Sequence, residues 1–116
     1  MNVALVDINW LDAKIQRIIK ANPQITRASV PIFVMRDTFE TSGGGCIGGY
    51  PSYTGAEAYA AFDYVGTSGV FAEDVSGLSH EMAEVLNDPY TNNNSPCGIY
   101  EAADPLENEA NHGDYA

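Results

Sequence analysis

His80, Glu81 and Glu84, in the segment Ser79-His80-Glu81-Met82-Ala83-Glu84, are the residues whose types and spacing point to chemistry. His80 and Glu84 stand four apart, so on a helix they project from one side and can hold a single metal ion. Glu81 lies about 100° around the helix from His80, where a carboxylate can take a proton from water held by that ion. A hydrolytic zinc centre uses three protein ligands and one open position, so a third ligand must come from elsewhere in the chain. Asp104 is the first candidate and Glu101 the second, because the loop after the helix can turn back and bring both to it. Being three apart, one of them can ligate while the other accepts from the second ring nitrogen of His80. His112 is a third option, in a tail with little to anchor it.

The motif is H-E-x-x-H, the zinc-binding helix of metalloproteases, with Glu in place of the second His. One His with two carboxylates carries −2 and neutralises a dication, where two His and one carboxylate leave +1. The less positive centre acidifies bound water less and polarises a carbonyl less strongly. The oxygen-rich set also narrows the preference for zinc over manganese, iron(II) or calcium. Zinc is the expected metal and another divalent cation the alternative. The plainer reading of the same residues is a polar, solvent-facing side of an amphipathic helix. Gly77, which clears space one turn before His80, and the acids that follow at ligand spacing favour the metal.

A helix over about 74–87 must carry these residues. Val75, Leu78, Met82, Val85 and Leu86 form one apolar stripe, while Glu73, Gly77, His80, Glu84 and Asp88 cluster opposite. The expected setting therefore puts the stripe on the core and turns His80 and Glu84 away from it. Asp88-Pro89 ends the helix ahead of an Asn-rich loop. Upstream, residues 3–8 read as a strand, and about 9–21 as an amphipathic helix with Leu11, Ile15, Ile18 and Ile19 inward and Asn9 as its cap. Residues 29–35 read as a strand with Pro31 near its start or on an edge. Glycines 43–45 and 48–49 bracket a short extended piece at Cys46-Ile47, and 56–65 reads as an aromatic and alanine-rich strand, with a helix as the weaker option.

The chain of 116 residues suits one domain, with 107–116 as an acidic, flexible tail. A net charge of −11 argues against nucleic acid and anionic membrane surfaces as partners. Lys14, Arg17, Lys20, Arg27 and Arg36 are the only cations of the Lys and Arg type, so every charged group after Arg36 is acidic and the field there favours a cation. No stretch is long and apolar enough to span a membrane. No signal peptide is visible at the N-terminus. Cys46 and Cys97 can form one bridge or remain two buried thiols.

From about Leu11 to Pro105 the chain resembles a family of poorly characterised, often exported bacterial proteins related to zincin-type metalloproteases. The resemblance is carried by Val30-Pro31-Ile32-Phe33, Cys46-Ile47-x-Gly49-Tyr50, the aromatic strand near Tyr59, Leu78-Ser79-His80-Glu81-x-x-Glu84, Asn87-Asp88-Pro89, and Cys97 ahead of Glu101-x-x-Asp104-Pro105. It implies a small zincin-like α+β domain over residues 1–106, with a backing helix and a short mixed sheet packed on the active-site helix. By motif, His80 and Glu84 would be ligands and Glu81 the catalytic carboxylate, with Glu101 and Asp104 in the segment that completes the site. The implied activity is metal-dependent hydrolysis of a peptide or protein, in an extracellular or periplasmic setting. The alternative is a non-catalytic, acidic metal-binding or interaction domain that keeps the same residues.

Overall fold

Asp7, not Asn9, starts the first helix: its Oδ1 accepts from the backbone N–H of Asn9 at 2.9 Å and of Trp10 at 3.1 Å. An Asp in extended conformation just ahead of the first turn satisfies two of the four orphan donors there, which Asn9 inside the helix cannot do. The computed structural model describes residues 3–66, 75–95 and 98–99. In chain order these form β1 (Ala4–Asp7), α1 (Ile8–Ala21), β2 (Ile32–Arg36), β3 (Thr38–Ser42), β4 (Gly45–Ile47), β5 (Gly49–Thr54), β6 (Glu57–Tyr64), α2 (Ser76–Asn87), β7 (Asn94–Ser95) and β8 (Gly98–Ile99).

The fold is α+β, with two helices and two mixed three-stranded sheets among the described residues. One sheet runs β1-β3-β4, parallel between β1 and β3 and antiparallel between β3 and β4. The other runs β2-β6-β5, parallel between β2 and β6 and antiparallel between β6 and β5. They meet at β3 and β6, where the Glu40 N–H donates to Asp63 Oδ2 at 2.8 Å, and the Asp63 N–H donates to Gly48 O, in the connection between β4 and β5, at 2.8 Å. β7 and β8 make a separate antiparallel pair.

Local chemistry explains most of these boundaries. β2 begins just after Pro31 and lies at a sheet edge, where the missing ladder donor costs nothing. Gly43 and Gly44, with φ of +57° and +88°, make the turn from β3 to β4 that other residues enter only under strain. α1 lays Ile15 and Ile19 on Tyr50, Tyr59 and Ala61, while Ile18, expected inward, is 47% exposed. Tyr59 OH donates to the Asp12 carboxylate, pinning α1 to the centre of β6. Central β6 is buried along almost its whole length, which suits its run of Ala, Tyr and Phe. Cys46 is exposed and free, so the arrangement with both thiols buried does not hold for it; Cys97 lies outside the described residues.

Candidate metal centre

α2 sets the site, and its orientation departs from the expected one. Val85 is buried against Ala58 and Ala60 of β6, with Met82 beside it. Leu86 and Val75, from the same apolar stripe, are instead 74% and 57% exposed, whereas Glu81, Glu84 and Asp88 are almost fully buried. The helix is thus rolled by about a quarter turn from the setting its apolar stripe implies. The cause lies in the surface beneath. Ala58, Ala60 and Gly49 are small, so the helix approaches closely along the line of Val85, and the residues flanking that line are acids. The chemistry-bearing residues therefore point into the molecule.

Gly49 is required at this contact. A Cβ placed there would stand 2.7 Å from Ala61 O, 2.8 Å from Glu81 Cγ and 2.9 Å from Glu81 Oε1. The Glu81 side chain lies directly over the first residue of β5, in space that only glycine leaves.

His80, Glu81 and Glu84 each offer one ligand atom, and these atoms all lie within 4.8 Å of one another. His80 Nε2 and Glu84 Oε1 are 3.2 Å apart, with the histidine side chain 15% exposed and the glutamate 5%. Two ligand atoms at zinc-bond lengths and a tetrahedral angle stand about 3.3 Å apart, so the separation of this pair suits one shared ion. The same spacing suits a His–carboxylate hydrogen bond, so a proton and a metal compete for the place. The donor set, one imidazole and carboxylate oxygens, is suited to zinc and to harder divalent ions. Glu101, Asp104 and His112, the expected further ligands, lie outside the described residues.

Asp88 has a different job from its neighbours on the helix. Its Oδ1 accepts from Asn92 N at 3.1 Å and its Oδ2 from Asn93 N at 2.8 Å. It is the organiser of the Asn-rich loop, and a carboxylate with two backbone donors has no need of a cation. Tyr90, two residues on, meets Tyr53 edge-to-face at 5.5 Å and so fixes the loop against β5.

Sequence reasoning missed two buried acids of the sheets. Glu40 on β3 and Asp63 on β6 are both fully buried. The Glu40 N–H donates to Asp63 Oδ2 at 2.8 Å. Burial pushes the Glu40 carboxyl up to about 8, helped by the like charges of Asp63 and then Glu81. Burial also raises Asp63 to about 6, against the lowering effect of the Glu40 N–H. Asp63 did carry a signal: it is the one charge inside the otherwise apolar run 58–65, where a strand is buried on both faces. Nothing in the polar stretch 36–42 sets Glu40 apart from a surface acid.

Fold and site together define a small α+β chain with a buried, helix-borne His–carboxylate cluster that can hold a metal ion. No family model, curated protein or solved structure matches the chain.

Proposed function

We propose that this chain is a zincin-like, metal-dependent hydrolase acting on peptide bonds, with His80 and Glu84 as metal ligands and Glu81 as general base. The observation that carries the reading is the gathering of those three side chains within 4.8 Å on one buried helix face. When bound, a zinc ion would supply Lewis acidity: it acidifies a water molecule and polarises the substrate carbonyl. His80 and Glu84 hold the ion, and Asp104 or Glu101 is the proposed additional ligand. Glu81, seated over Gly49, takes a proton from the attacking water on a carboxylate oxygen and passes it to the leaving amine. The acidic field of the second half of the chain favours cation capture, and exported, extracellular or periplasmic use is part of the proposal.

One observation favours a second reading, an acidic metal-binding domain without catalysis. Glu81 and Glu84 are 7% and 4% exposed, and a substrate needs access that a structural ion does not. Glu81→Gln separates the two. The catalytic reading expects the variant to bind zinc as the wild type does while its turnover of a peptide library is lost. Full turnover by Glu81→Gln would end that reading.

A further inference from the structure

The net charge of −11 hides a basic face. Among the nine described Asp and Glu residues only Asp7 is exposed, whereas Glu40, Asp63, Glu81, Glu84 and Asp88 are buried. All five Lys and Arg residues are exposed. Three of them, Lys14, Arg17 and Lys20, stand on α1. At about 100° per residue they cluster with Trp10 on the side of the helix away from Ile15 and Ile19, which are buried in the core. Asp12, the one acid within α1, lies on the sheet side, where its carboxylate accepts from Tyr59 OH and from Gln16 Nε2. The outer face of α1 therefore carries cations and no acid.

Among the described residues none of Lys14, Arg17 and Lys20 forms an ion pair. They follow one another at three-residue intervals, the spacing at which like charges on a helix repel, and an anion laid along them removes that repulsion. Lys14 Nζ lies 5.1 Å from the centre of the Trp10 ring, which holds both side chains on the outer face. Trp10 is 57% exposed and Ile18, one turn on from Lys14, 47%. Past the last turn of α1 is a pocket of about 390 Å³ walled by Ile19, Pro23 and Ile25, with Lys20 beside them and Thr54 and Glu57 opposite. Glu57 is turned to its own hairpin, where its Oε2 accepts the Ala56 N–H at 3.1 Å.

We propose that the outer face of α1, with the pocket at its end, is a docking surface for an acidic segment of another protein. Asp or Glu residues of that segment meet Lys14, Arg17 and Lys20, and an apolar side chain enters the pocket. The apolar side of α1 is already covered by the sheet and leaves Trp10 and Ile18 alone to enter lipid, so a peptide fits this face better than a membrane does. A nucleic acid extends beyond the screening distance of about 8 Å and meets the net negative charge, whereas a short peptide meets the local field. Tyr59 and Ala61 of β6 turn to α1 and Ala58 and Ala60 to α2, so the sheet separates this surface from His80, Glu81 and Glu84. It stands whether or not the hydrolytic reading does.

The test is fluorescence anisotropy of the full chain with a panel of labelled peptides graded in Asp and Glu content, each made with and without one Leu. Affinity should rise with acid content, fall as salt is added, and fall again when the Leu is replaced by Ser. Combining Lys14→Glu, Arg17→Glu and Lys20→Glu should weaken binding by about tenfold or more. These side chains are exposed, so that variant should melt as the wild type does, and the single change Lys20→Gln should weaken binding in the same direction. Arg36→Glu, on β2, should bind as the wild type does. Absence of binding across the panel, equal binding of matched Lys peptides, or unchanged binding by the triple variant would overturn the proposal. Tighter capture of phosphatidylserine vesicles or of a single-stranded oligonucleotide through the same three residues would overturn it too. So would wild-type self-association that the triple variant loses, because the acids would then be those of a second copy.

Discussion

Glu84 is where this chain departs from the two-histidine zinc motif, and its place in the structure says what the departure does. Its Oε1 stands 3.2 Å from His80 Nε2 and its side chain is 5% exposed, so it is not a surface substitution, and in the proposed site it takes the place of the second His. Replacing it by His would restore the two-imidazole set and raise the net charge of the centre by one. Glu84→His is therefore expected to favour zinc over manganese by at least about tenfold relative to the wild type, measured by competitive metal binding. Residue types and spacing alone made His80, Glu81 and Glu84 legible, since a four-residue interval on a helix leaves little freedom. Glu40 was not legible because its partners come from strands and a helix distant in sequence, and no local pattern records such an encounter.

At the scale of elements, both helices and strands β1, β2, β4 and β6 were legible in the sequence, while the roll of α2 was not. Apolar periodicity marks the face a helix can bury, but the surface it meets decides which part is buried. Here the small residues of β5 and β6 draw in Val85 and leave Leu86 outside. Val85→Ala should accordingly cost about 2 kcal/mol in a denaturant titration, and Leu86→Ala less than about 0.5 kcal/mol. The stripe read from sequence predicts comparable losses at both. Gly49→Ala is the sharper probe of the site. Its Cβ meets the Ala61 carbonyl and Glu81 together, one of them rigid backbone, so the variant should lose about 2 kcal/mol or more of stability and weaken metal binding as α2 is pushed away. Strand β3 went unread because Thr38–Ser42 lacks an apolar alternation, yet it pairs with both β1 and β4 and supplies Glu40.

For the whole molecule the buried acids set a direction for pH dependence. Glu40 is raised from 4.5 to about 8 and Asp63 from 3.8 to about 6, both chiefly by burial. Each binds its proton more tightly in the folded chain, so between those limits the native state holds more protons than the unfolded one, and stability falls as pH rises. The contribution is complete below about pH 4 and gone above about pH 8. Metal-free protein should lose about 5 °C or more of melting temperature between pH 5 and pH 8, and Glu40→Gln should flatten that slope. The opposite trend, stability rising through this window, would mean that neither acid is held as described. A net charge of −11 works in the same sense, since self-repulsion grows as the remaining carboxyls ionise.

The functional account depends first on His80 and Glu84 holding an ion. Elemental analysis of chain purified without chelator and then equilibrated with a slight excess of zinc tests this most directly. The expected result is one tightly held zinc per chain in the wild type and in Glu81→Gln, and none in His80→Ala or Glu84→Ala. A wild type that retains no stoichiometric zinc, or a His80→Ala variant that retains it in full, would contradict the assignment.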